Sequence, residues 1–383
     1  MKKETKIQIL RKLIQLPTIN NNETTVVDFI ISLFKPYPTV QIKKIPYAPN
    51  RDNLVITIGH ENTGPIIGLS GHMDVVAPGT LSNWTNDPFS ATLTNGKLFG
   101  RGASDMKSGL AAEIIAMLEI LESQPQLNGQ IRLLATVGEE TGEYGAAQLT
   151  ELGYADHLTG IIIAEPTNNM TNLVYTSRGV IDYEVTSSGK NAHSAHPDLG
   201  VNAIRNLLNF YQLAQQRLEK LSDSDPVLGR MTHEITQITG GEQANMIPSS
   251  AQYSGNIRTI PNYPNQLIFN ELNTLLTELN ALPNYELTIH YSYPEAPIMG
   301  TPESELVQTA LKTYRTVFNH DVILTGSSEA SDGSEFIQAA GQPTIIICGP
   351  GSPTGHQVDE YVDIDTYLQS IMFYKQLALA YIK

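Results

Sequence analysis

Six side chains able to do acid–base or metal chemistry follow apolar runs or glycine-rich turns in this chain: His72, Asp105, Glu139, Glu140, Glu165 and His356. His72 stands in Gly71-His72-Met73-Asp74. A histidine with a carboxylate two residues on could be a metal ligand and the group that fixes its tautomer. It could equally be a turn histidine beside a capping aspartate. Asp105 lies in Gly100-Arg101-Gly102-Ala103-Ser104-Asp105-Met106-Lys107-Ser108-Gly109. There it could cap the following helix, or sit in backbone that the glycines let close tightly around a ligand. Glu139 and Glu140, in Gly138-Glu139-Glu140-Thr141-Gly142, repel each other unless a cation or a proton intervenes. A solvated acidic loop is the plain alternative, and Glu143 fits it. Glu165, in Ala164-Glu165-Pro166-Thr167, and His356, closing Gly349-Pro350-Gly351-Ser352-Pro353-Thr354-Gly355-His356, are weak signals singly.

The elements that must position these residues give the set its meaning. Runs 65–70, 131–137 and 160–164 read as buried strands, while 106–121 and 144–152 carry a helical period. The same alternation returns after about residue 295. A helix over 302–317, a strand over 322–324, a helix over 334–340, a strand over 344–348 and a terminal helix over 364–382 follow in order. Such alternation specifies an α/β domain with a mostly parallel central sheet flanked by helices. Ligands collect at the carboxyl ends of strands in such sheets. The pattern therefore carries all six residues to one sheet edge. This mixed nitrogen and oxygen set suits a pair of borderline divalent ions, Zn²⁺ before others.

The stretch between is different. A strand over 180–185, a helix over 201–221, strands over 233–238 and 251–257, a helix over 266–279 and a strand over 285–291 give the β-α-β-β-α-β order of a ferredoxin-like α+β sandwich. The expected organisation is one discontinuous domain, 1–177 and 293–383, interrupted by an inserted domain, 178–292.

Composition narrows the function. The 383 residues suffice for two or three domains. The 41% hydrophobic and 16% charged residues exclude a disordered chain. A net charge of −15 argues against nucleic-acid and membrane-surface partners. The single cysteine, Cys348, excludes an internal disulfide and a cysteine-rich metal site. No apolar run approaches the ~18 residues of a membrane span. Residues 1–20 show helix-like spacing rather than the unbroken apolar core of a signal peptide. A cytoplasmic location is expected.

Seven motifs in order resemble the dinuclear-metal M20 family of peptidases and deacylases: GHMDVV (71–76), WTNDPF (84–89), GRGASDMKSG (100–109), GEETG (138–142), AEPT (164–167), AHSAHP (192–197) and GPGSPTGH (349–356). The resemblance spans essentially the whole chain. It implies that Asp105 bridges two metals, with His72 and Glu165 completing one site and Glu140 and His356 the other. It implies two Zn²⁺ per subunit, with Co²⁺ a possible substitute. Asp74 would orient His72, and Glu139 would be the general base. His193 would donate to the oxyanion, reaching into the partner's site in a homodimer formed through the inserted domain, which would also act as a lid. Asn245 and Arg258, with Arg178 a weaker candidate, would face the substrate.

Within the family the chain is similar to the branch holding succinyl-diaminopimelate desuccinylase and acetylornithine deacetylase. Ser331-Asp332-Gly333 and Phe336 point to the former, and the ending from Gly349 to Glu360 to the latter. The implied reaction is removal of an N-acyl group from a small amino acid, with N-succinyl-L,L-diaminopimelate ahead of acetylornithine and of other aminoacylase or dipeptidase substrates. A catalytically dead binding homologue is the contrasting expectation, disfavoured because every ligand position and the base are present.

Overall fold

Residues 1–59, 64–123 and 126–382 are described by the computed structural model. They form two compact units, Met1–Thr176 with Met299–Thr325 and Ser331–Lys383, and Ser177–Ile298 with Gly326–Ala330. The second unit thus runs beyond the 178–292 read from the sequence. Positions 60–63, 124–125 and 383, which the sequence-derived bounds cross, lie outside the described residues.

The first unit is built on an eight-stranded sheet. Four central strands, Gln130–Thr136, Ile66–His72, Gly160–Pro166 and Thr344–Gly349, lie side by side and parallel. Their residues are almost continuously buried, which is why they read as unbroken apolar runs. An antiparallel hairpin, Gln41–Ala48 and Arg51–Gly59, extends the sheet beyond Gln130–Thr136. The sequence-derived elements include no strand over 41–59. The hairpin's outer strand is largely exposed and carries Lys43, Lys44 and Pro46, an edge composition with little apolar signal. Asn172–Ser177 and Ile323–Ser327 complete the other side.

Helix Lys107–Ser123 is buried around most of its surface, as expected for a helix apolar on all faces. It approaches the sheet closely at Gly109, where a Cβ would lie 2.1 Å from the Ala164 carbonyl oxygen. Terminal helix Ile364–Tyr381 packs against it. The helix expected over 334–340 is only the short Gly333–Phe336. Among the described residues, no helix is long and apolar enough to cross a membrane.

The second unit contains a four-stranded antiparallel sheet in the order Thr232–Gly240, Ser250–Thr259, Gly179–Ser188, Leu287–Tyr291. Helices Ala203–Leu218 and Asn265–Asn280 interleave in the chain, giving the ferredoxin-like order. Its core is its own, centred on Tyr183, Phe210, Tyr253, Ile257 and Leu272.

Candidate metal centre

Three of the central strands deliver their ligands at their carboxyl ends. His72 closes Ile66–His72, Glu165 sits at the end of Gly160–Pro166, and Gln130–Thr136 leads into Gly138. Gly138 adopts φ 72°, a left-handed turn that glycine takes without penalty, and the chain then forms the short 3₁₀ turn Glu139–Thr141. His356 lies in the loop after Thr344–Gly349.

These ends meet. His72 Nε2 lies 3.2 Å from Asp105 Oδ1, 3.6 Å from Glu165 Oε1 and 3.9 Å from Glu139 Oε2. His356 Nε2 lies 2.9 Å from Glu140 Oε2 and 3.4 Å from Asp105 Oδ2. Two ligand groups result, His72–Asp105–Glu165 and Asp105–Glu140–His356, each with donor atoms within 4.8 Å of one another. Asp105 is common to both. Glu139 stands beside the first group without belonging to either.

The electrostatics are those of a crowded anionic site. Burial penalises the charge on His72, but the carboxylates of Glu165, Asp105, Glu139 and Asp74 outweigh it and hold the imidazole well above its ordinary range. Burial pushes Glu139 and Glu165 well up, His72 draws each back, and neighbouring carboxylates push them further. His356 is raised mainly by its hydrogen bond to Glu140. Glu140 Oε1 and Glu165 Oε1 are buried with no hydrogen-bond partner. Buried carboxylate oxygens rarely go unpartnered, and a cation between them resolves both the missing partners and the repulsion. The residues therefore fit a pair of divalent metal ions.

Several neighbours position this cluster. His72 Nδ1 lies 2.9 Å from the main-chain carbonyl of Asp74. A carbonyl only accepts, so Nδ1 carries the proton and Nε2 faces the carboxylates as the ligand atom. The Asp74 carboxylate is 3.7 Å from that ring. It instead accepts from the backbone N–H groups of Gly138 (2.9 Å), Glu139 (3.3 Å) and Glu140 (3.3 Å), holding the turn that presents both glutamates. The expectation that Asp74 orients His72 thus takes a different form. Its main chain meets the ring, and its side chain meets the adjacent carboxylate turn.

Glu360 enters the sequence reading only as the last residue of a branch motif, with no role assigned. Fully buried, it accepts from Ser104 N (2.7 Å), Asp105 N (2.9 Å) and Gly102 N (3.1 Å), and it pairs with Arg101. Arg101 also donates to the His356 carbonyl at 3.3 Å. The loops carrying Asp105 and His356 are thereby tied together. Asp332 was noted only as part of a branch motif. It accepts from Thr136 Oγ1 at 2.5 Å, and burial pushes its pKa to about 7. Its one sequence signal, an acid beside glycine and serine, is shared with ordinary turns.

The remaining expected residues lie in the second unit. His193 is exposed on the strand Ala192–His193, and its Nδ1 accepts from Ala195 N at 3.1 Å. That strand pairs with Met246–Ile247, and Ser194 N donates to the Asn245 carbonyl at 2.9 Å, so His193 and Asn245 are neighbours. Arg178 donates to the carbonyls of Arg258 (3.3 Å) and Leu228, which brings the two arginines together.

The profile of Peptidase family M20/M25/M40 matches residues 68–380. The chain belongs to this family. Its M20 relatives include a protein of Staphylococcus aureus strain MSSA476 named probable succinyl-diaminopimelate desuccinylase, 34% identical over 99% of this chain and 98% of the relative. The M20 fold recurs in the crystal structure of aminopeptidase PepT from Bacillus cereus, with TM-score 0.79, 18% identity and full coverage of both chains. It recurs also in a dinuclear metal binding peptidase of the M20 family from Bacillus subtilis, with TM-score 0.73, 16% identity, and 99% and 98% coverage.

Proposed function

We propose that this M20 chain is a dinuclear metallohydrolase that removes the succinyl group from N-succinyl-L,L-diaminopimelate, yielding L,L-diaminopimelate and succinate. One observation carries the reading. Two ligand triads share Asp105, and a further carboxylate, Glu139, stands 3.9 Å from His72 yet belongs to neither triad. The desuccinylase name of the relative, similar over the whole length, supports the choice of substrate.

Bound at the two triads, a pair of divalent cations, zinc by preference and cobalt in substitution, would supply Lewis acidity and an acidified water. Glu139 takes the proton from the attacking water and returns it to the departing amine. Asp74 keeps Glu139 and Glu140 in their separate roles by holding their backbone. His193 donates to the tetrahedral oxyanion. Arg258, with Arg178 behind it, grips a substrate carboxylate, for which a planar guanidinium is suited, and Asn245 contacts the substrate beside His193.

In this reading 1–177 with 293–383 is the catalytic domain, and 178–292 is a lid that also forms a homodimer. The single buried cysteine is consistent with work in the reducing cytoplasm.

The deciding experiment compares kcat/KM on N-succinyl-L,L-diaminopimelate and N-acetylornithine with Zn²⁺ or Co²⁺ supplied. A preference for the succinyl substrate is expected. A preference for acetylornithine would overturn the acyl assignment, and undiminished turnover after chelation would overturn the metal mechanism itself.

A further inference from the structure

A cavity of about 450 Å³ in the first unit is left unused by the proposed chemistry. That volume suits a small molecule. It lies over the antiparallel side of the large sheet. There Gln41 pairs with Thr57, and Thr57 with Arg132, so the three share one face. Lys43 and Arg132 both line it and both reach Tyr154. Arg132 Nη1 donates to the Tyr154 carbonyl at 2.6 Å, and Lys43 Nζ lies 5.2 Å from the centre of the Tyr154 ring.

Two cations on one wall need an explanation in a chain with 39 acidic against 24 basic residues. Among the described residues, neither Lys43 nor Arg132 forms an ion pair, and no carboxylate lines the cavity. Burial alone pushes the Arg132 guanidinium below its ordinary range, with no neighbouring acid to offset it. Held through one nitrogen, that guanidinium keeps its other donors in a rigid fork. Exposed Leu152 and the Tyr154 ring supply an apolar wall.

We propose that this cavity is a binding site for a small organic dianion, its charged ends held by Arg132 and Lys43 and its short body laid against Tyr154 and Leu152. The site is separate from the metal centre. Ile66 and Gln130 lie beside it, whereas His72 and Thr136 end the same two strands, six residues or roughly 20 Å further along. A dicarboxylate and a phosphate ester share the required chemistry, so both are probed.

The test is calorimetric titration of the metal-loaded full chain with malate and, separately, with inorganic phosphate. Binding at millimolar concentration or better is expected for at least one probe, and the tighter probe identifies the source of the anion. Lys43→Gln, at an exposed position, should weaken that binding about tenfold, and Lys43→Gln with Arg132→Gln should weaken it further. Added salt should weaken it as well. Hydrolysis by Lys43→Gln should match the parent. Absence of binding by both probes would overturn the proposal. So would equal binding by Lys43→Gln and the parent, because an anion lodged at the metal centre would not respond to that change.

Discussion

Glu360 and the half-buried pair Glu140 and Glu165 obey opposite accounts. Glu360 is fully buried, yet three backbone N–H groups and Arg101 surround its oxygens. Burial pushes Glu360 toward the neutral acid, and these donors pull it back. Glu140 and Glu165 each keep a buried oxygen with no hydrogen-bond partner, within a cluster of further carboxylates. The first arrangement is complete as it stands and holds a loop. The second is complete only with cations between its members. Hydrogen-bond accounting, not burial, separates an acid that positions from an acid that binds. Glu113 marks the limit of the rule. Both its oxygens lack a hydrogen bond of ordinary geometry, but it stands outside the cluster, and burial, opposed only by the Ser70 backbone, drives its pKa well up toward the uncharged form.

The comparison breaks most readily at Asp105. Asp105→Ala removes the member common to both triads, so metal content by emission spectrometry should fall to background and turnover with it. Retention of both ions would show that the triads are not joined through this carboxylate. Glu139→Gln comes next, with a loss of about 10²–10⁴-fold in kcat and no change in metal content. Falling metal content in that variant would move Glu139 from base to ligand.

Glu360→Gln sharpens the other side. Loss of the charge that gathers these donors should weaken metal binding by about 10–100-fold, measured by competition with a chelator. The same change should cost roughly 1.5–3 kcal/mol of stability. A stability loss with unaltered metal affinity would mean that the clamp serves folding alone.

The change that leaves the metal centre untouched lies in the second unit, where a buried ionisable group is fully partnered. His233 Nε2 meets Tyr183 Oη at 2.5 Å and its Nδ1 meets Gln215 Oε1 at 2.8 Å, while burial lowers its pKa from 6.5 to about 4. The unfolded chain therefore takes up this proton before the folded one. The stability that neutral His233 contributes is complete above about pH 6.5 and is lost as pH falls toward 4, by about 3 kcal/mol at most. Denaturant titrations of His233→Gln and the parent across that window should converge as pH falls. Parallel curves would show that the buried imidazole does not titrate there.

Much of the cluster was legible because each ligand follows a strongly patterned segment. His72, Glu165 and His356 come after apolar runs that only a buried strand explains, and Asp105 opens a helix flanked by glycines that close packing requires. Glu360 was not legible. Its partners are backbone N–H groups more than 250 positions away, and no local pattern announces such an acceptor. The role of the Asp74 carboxylate was hidden for the same reason, since its donors belong to a turn 64 residues on. The outer strand of the edge hairpin, Gln41–Ala48, escaped because an exposed strand needs no apolar period, whereas its inner partner, Arg51–Gly59, carries a buried apolar run that the sequence does display.

By itself, then, the chain's sequence determined the parallel strand core, the inserted β-α-β-β-α-β unit and the chemical types available at one sheet edge, because burial periodicity and residue chemistry are local properties. Only the tertiary structure decided which carboxylates find donors and which are left facing each other. That outcome depends on distances between segments hundreds of residues apart, and a hydrogen bond is made or lost within a few tenths of an ångström.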